Sequence, residues 1–289
     1  YHVAPGGRGC QSRRAAGDAV SAVRPPVAAG TFYPARRADL NSVLDKLWPD
    51  PVPTARRAIG VVSPHAGYVY SGGVAARVFA SVEPVPVYFL IGPNHTGLGC
   101  EVAVAPDPPW RTPLGDVPRH EALARRFLAA CAPAREDAAA HAREHALEVV
   151  LPFLQRISPR AAVVCVTLGS WRKDLLETVA RAAAEAVGGL DEPALVVASS
   201  DMHHFGDLAE TRALDAEALA RLEAMDPEGL LRTVTEREIS MCGAGTAAAM
   251  LMAARTLGAQ RVERIAYATS ADAGGDDRRV VGYAGLRVA

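Results

Sequence analysis

Lysine is nearly absent from this 289-residue chain, which holds only Lys46 and Lys173. Arginine carries the basic charge instead, and Lys+Arg 31 against Asp+Glu 32 leaves a formal net charge of -1. So balanced a chain has no broad positive field with which to neutralise many phosphates, which makes nucleic acid a poor candidate ligand. No apolar run reaches the roughly 18 residues that a membrane-spanning helix requires. Residues 1–23 also lack the continuous apolar core of a signal peptide. The five cysteines, Cys10, Cys100, Cys131, Cys165 and Cys242, are dispersed and include no C-x-x-C pair, which argues against a secreted disulfide framework. The expectation is a cytoplasmic protein without a membrane partner.

What is abundant is apolar: 49% of residues are hydrophobic and 22% charged, enough to bury a sizeable core in one large domain. Residues 1–23 are rich in Gly, Ala and Arg without hydrophobic periodicity, so a disordered tail is expected there. From Arg24 to the end the pattern is globular. Short β-branched or apolar runs predict strands at 59–63, 85–91, 161–168, 194–199, 261–269 and 280–288. Spacing for one buried face predicts helices at 71–80, 120–130, 144–157, 173–187, 208–224 and 243–257. Alternation of the two element types predicts a single α/β domain over 24–289, with a mostly parallel central sheet, helices on both faces and a final antiparallel pair at one edge.

In such sheets ligands bind beyond the carboxyl ends of the strands. Three motifs lie there. In PHAGYVYSGG, residues 64–73, a strand runs into a His and a Gly-rich turn before a helix, so His65 is a candidate metal ligand or base. GPNHTG, residues 92–97, repeats the arrangement with His95. SSDMHH, residues 199–204, groups Asp201 with His203 and His204, a composition suited to proton transfer or to supporting a metal. Each has a plainer reading, as a tight turn or a helix cap, but their convergence favours a shared site. MCGAG, residues 241–245, sets Cys242 before a helix, where the dipole would favour its thiolate; a buried structural cysteine is the plainer reading. A rival signal is HAREH at 141–145, which satisfies the H-x-x-E-H pattern of inverted zinc proteases.

Taken in order, RPPVAAGTFYP (24–34), PHAGYVYSGG, GPNHTG, TPLGDV (112–117), EHALEVVLPFLQ (144–155), SSDMHHFG (199–206), MCGAG and VVGYAG (280–285) resemble the Memo family, whose prokaryotic members are called AmmeMemoRadiSam system protein B. That family is similar in fold to the LigB-type class III non-haem iron dioxygenases, which implies the α/β architecture. The resemblance implies His65, His95 and Cys242 as metal ligands with Asp201 and His204 beside them, the catalytic pair in which His204, oriented by Asp201, would act as acid or base. It also sets His145 and Glu148 in support of the ligands and places both, with Glu144, in one motif of the family, which makes the HAREH match accidental. In the ring-opening enzymes the third ligand is a carboxylate; Cys242 in its place argues against dioxygenase activity. Two imidazoles and a thiolate suit iron(II), copper(I) or zinc better than a hard cation. The implied function is a metal-binding, redox-active oxidoreductase working with a radical SAM protein and an AMMECR-type partner. Two alternatives stand beside it. One is a non-catalytic module whose pocket, lined by Tyr68, Tyr70 and Phe205, takes a peptide or protein. The other is a hydrolase with Cys242 as nucleophile and His204 and Asp201 completing a triad.

Overall fold

The structure, a computed structural model, describes residues 23–107 and 109–289. The tail expected at 1–23 therefore lies, apart from Val23, outside the described residues. In chain order the strands are β1 (Gly60–Ser63), β2 (Val87–Pro93), β3 (Val102–Val104), β4 (Trp110–Thr112), β5 (Gly115–Val117), β6 (Ala134–Glu136), β7 (Ala162–Leu168), β8 (Ala194–Ser199), β9 (His204–Gly206), β10 (Val262–Thr269) and β11 (Val280–Val288). The helices are α1 (Arg37–Leu47), α2 (Tyr68–Ala80), α3 (Glu121–Ala130), α4 (Ala138–His141), α5 (Leu151–Ile157), α6 (Lys173–Gly188), α7 (Leu208–Glu223), α8 (Pro227–Glu236) and α9 (Ala244–Thr256).

One sheet runs in the order β10-β11-β1-β8-β2-β7-β3-β6, and β9 adds to β11. The four central strands β1, β8, β2 and β7 are mutually parallel, while β11 and β3 join them antiparallel on either side. Strand β2 is buried along its whole length, as expected for a central strand covered on both faces. Its side chains alternate between two cores. Phe89 and Ile91 pack with α3, α6, α7, α8 and α9, whereas Tyr88 and Leu90 pack with α1, α2 and α5.

The crossover from β1 through α2 runs over one face of the sheet, and the crossover from β7 through α6 runs over the other. Between them the carboxyl ends of β1, β8 and β2 open a crevice, the usual place for a ligand in such a sheet. One predicted helix is broken. Residues 144–147 are not helical, Glu148–Val150 is a 3-10 turn, and the α-helix begins only at Leu151. Pro152 sits in its first turn, where the missing N–H costs no hydrogen bond. Among the described residues no helix is long and apolar enough to cross a membrane.

Candidate metal centre

His65 follows β1 and is 2% exposed. Its backbone N–H donates to Asp201 Oδ1 at 2.8 Å, and its Nδ1 lies 2.8 Å from Ser199 Oγ. The Ser199 hydroxyl has one proton and donates it to Ala146 O at 2.7 Å. The serine therefore accepts from Nδ1–H, and the network assigns His65 as the tautomer with a free Nε2 lone pair. That nitrogen lies 3.4 Å from Cys242 Sγ.

His95 arrives from the neighbouring strand end through a tight turn. Asn94 Oδ1 accepts from the backbone N–H groups of Thr96 and Gly97, and Gly97 adopts φ +64. The fully buried Glu144 carboxylate then takes His95 in a fork, accepting from its N–H at 2.6 Å and from Nδ1 at 2.9 Å. Burial raises the Glu144 pKa, but the His95 hydrogen bond and charge and the Ala146 N–H outweigh it and hold the carboxyl at about 2. An ionised carboxylate only accepts, so His95 too presents its Nε2. A carboxylate or hydroxyl behind the imidazole is the usual way in which metal-ligating histidines are oriented.

Cys242 reaches the crevice because Gly243 follows it. A β-carbon at Gly243 would lie 2.5 Å from both Ser199 O and Ser200 Cβ, so only glycine lets this segment press against the end of β8. Gly243 N–H donates to Ser200 Oγ at 3.0 Å, and Cys242 Sγ accepts from Asp201 N–H at 3.2 Å. The outcome is that ligand atoms of His65, His95 and Cys242 all lie within 4.8 Å of one another. His65 forms the buried floor and His95 the exposed rim.

The protonation pattern reverses one expectation. Burial, reinforced by the Asp201 carboxylate, pushes the Cys242 thiol well above its ordinary value and outweighs the hydrogen bonds from Asp201 N–H and Ser200 that would favour the thiolate. Burial, with His95 and His145 adding to it, pushes His65 well below its own. A neutral thiol beside a neutral imidazole is the opposite of the thiolate–imidazolium pair of a cysteine nucleophile. It is compatible with a metal site, where a cation displaces the thiol proton and finds the buried His65 imidazole already unprotonated.

The remaining candidates divide. His145 stacks on His95 with centroids 4.8 Å apart, and its Nδ1 is 3.4 Å from Glu144 Oε1. His204 shares a second group with Asp201 and Cys242, again with ligand atoms within 4.8 Å. It is held by Ser240, whose carbonyl accepts from Nδ1 at 2.8 Å and whose hydroxyl accepts from the His204 N–H at 2.8 Å. Asp201 Oδ1 is engaged instead by the N–H groups of His65 and Ala66. Glu148, expected beside the ligands, turns the other way. It accepts from Arg24, from Val27 and Ala28 N–H, and from Tyr33 Oη, all at 2.7–2.8 Å. This pins the segment that carries Phe32 onto His145, centroids 4.4 Å apart, so Glu148 acts on the pocket through Phe32.

His141 is buried elsewhere, with Nε2 3.0 Å from Ala103 O and its ring edge-on to Trp110. Helix α4 ends at His141, so the H-x-x-E-H residues share no helical face. Tyr68 is buried with its hydroxyl on Val149 O, whereas Tyr70 and Phe205 are exposed. Ser199 and Ser240, which set two of the tautomers, escaped the sequence reading. Ser199 at least lay inside a quoted motif, while nothing in the sequence marks Ser240.

Comparison with known proteins agrees with this geometry in its extent. The family model described as Memo-like protein matches residues 24–287. A MEMO1 family protein of Thermotoga maritima is 40% identical over 275 residues, covering 90% of this chain and 97% of its own. MEMO1 family proteins of Methanopyrus kandleri and Methanosarcina acetivorans are each 37% identical, over 91% and 92% of this chain and 98% and 99% of theirs. The stretch matched by the family model contains every side chain of the cluster, and on that likeness the chain belongs to the Memo family.

Proposed function

We propose that this chain binds a redox-active metal ion, copper(I) or iron(II), with zinc as the non-redox occupant, through His65, His95 and Cys242. The observation that carries the reading is the convergence of three donors from three separate segments within 4.8 Å, two of them imidazoles whose Nδ1 is already engaged. Two nitrogens and one sulfur form a donor set of intermediate softness, which favours those metals over magnesium or calcium. Iron or copper held there would supply one-electron chemistry and a coordination position for a small molecule.

The chain's own groups frame that chemistry. Glu144 and Ser199 hold the two imidazoles in the ligating tautomer. His204, with Nδ1 on a carbonyl, keeps Nε2 available to take or give a proton beside Asp201 and Cys242. The activity proposed is that of an oxidoreductase in the cytoplasm, acting with a radical SAM protein and an AMMECR-type partner. Thiol alkylation tests the metal reading. Copper(I) or iron(II) should protect Cys242 from alkylation, and the loaded protein should cycle between oxidation states under a reductant and oxygen. Alkylation at the same rate with and without metal would exclude Cys242 as a ligand.

A further inference from the structure

We propose that Tyr283 is a ligand-binding residue of this pocket, its phenol donating a hydrogen bond to a small anionic ligand that enters beside His65 and Cys242. The inference rests on the metal-binding reading and adds to it the group that would receive what the metal attracts.

The backbone places Tyr283 at the crevice. β1 and β11 pair antiparallel with Gly60 opposite Val288, Val61 opposite Arg287 and Val62 opposite Leu286. Beyond that pairing Gly282 accepts from Met202 N–H at 2.9 Å and donates to His203 O at 3.0 Å, so the next residue, Tyr283, stands beside the segment after β8 that carries Asp201. Alternation along β11 gives its direction. A β-carbon at Gly282 would meet Asp215 of α7, whereas one at Gly285 would meet Val74 and Val78 of α2. Tyr283 shares the α2 face with Gly285, and α2 is the helix that begins just after His65. Asp201 and Tyr70 are accordingly the ionisable groups that act on its phenol.

The hydroxyl itself stands apart from those of the other buried tyrosines and of half-buried Tyr267. Tyr33 donates to Glu148, Tyr68 to Val149 O and Tyr267 to Asp215, and Tyr88 accepts from Val85 N–H. The Tyr283 side chain is as deeply placed, with the residue 2% exposed, yet its hydroxyl bonds to nothing among the described residues. It is also absent from the fully occluded unpaired polar atoms, so it faces space that solvent can enter. Buried polar groups in folded chains are paired almost without exception, and a hydroxyl left open at the edge of a pocket finds its partner outside the chain. Burial, with the Asp201 carboxylate adding to it, keeps the phenol protonated, so it meets an anion as a donor.

Tyr283→Phe tests this cleanly, because it removes a hydroxyl that bonds to no other residue. The measurement is an azide titration of the cobalt(II)-loaded protein, followed in the visible spectrum, beside a cobalt(II) titration of each protein. Tyr283→Phe should keep the parent's cobalt affinity and melting temperature while azide binds roughly tenfold more weakly, the loss expected for one hydrogen bond to a charged ligand. Equal azide affinities would overturn the inference. So would loss of cobalt or of folding in the variant, since the phenol would then serve the metal or the core. Failure of the parent itself to bind cobalt would instead remove the metal reading on which the inference stands.

Discussion

Cys242 is the side chain that distinguishes this pocket from a purely nitrogen and oxygen site, and its replacement by Ser is the sharpest single change. The substitution nearly preserves volume but exchanges a soft anion for a neutral hydroxyl. Copper(I) affinity should fall by more than about a hundredfold, and affinity for a hard divalent ion far less. Equal copper(I) affinities in competition with a chromophoric chelator would show that sulfur is not a donor. Asp215, buried behind the His203–His204 turn, gives a second test. It accepts from His203 N–H at 2.8 Å and from Tyr267 Oη at 2.7 Å, and burial lifts its pKa to about 6. A carboxyl with a raised pKa binds its proton more tightly when folded than when unfolded. It therefore subtracts stability as pH rises from its ordinary 3.8 through about 6, and by a constant amount above that. Denaturant titrations across that window should show the parent losing ground to Asp215→Asn; a constant gap between the two would contradict the account. At this scale the residues carrying donor atoms were legible, because His and Cys at strand ends announce their chemistry. The residues that orient them were less so. Glu144 and Glu148 stand in one quoted motif, and only the folded chain tells that the first grips His95 while the second faces Arg24 and Tyr33.

Among the elements, β2, β7, β8, α6 and α9 matched their sequence patterns to within a few residues, since each carries a sustained apolar period, whereas α1 and α8 were not expected. The three-residue strands β3, β4, β5, β6 and β9 are too short to show one; β3, β6 and β9 add to an edge that a neighbour offers, and β4 and β5 pair with each other. The helix expected at 144–157 fails at its first half because Glu144 and Glu148 are drawn into tertiary hydrogen bonds that compete with a regular helix. The start of α9 shows how an element's end makes a site. Gly243→Ala would press a methyl into Ser199 O and Ser200, and the overpacking should cost on the order of 1–3 kcal/mol. Because the shift displaces Cys242, metal affinity should fall with it. A variant of unchanged melting temperature and unchanged metal affinity would show that the close approach is not required.

For the whole molecule, the sheet brings together groups that stand far apart in the chain. Arg24 locks onto Glu148, Phe32 closes on His145, and β1, β2 and β8 deliver His65, His95 and Asp201 to one crevice. Such a site exists only in the folded state, so a bound cation should stabilise the fold by mass action, by about 2.7 kcal/mol at a hundred times its Kd. The central claim is that this crevice, and not the H-x-x-E-H segment, holds the metal. Its most direct test is the metal content, by mass spectrometry, of anaerobically purified parent, His65→Ala and His141→Ala proteins. Roughly one ion per chain is expected in the parent and in His141→Ala, and little in His65→Ala. A full complement in His65→Ala, or its loss in His141→Ala, would contradict it.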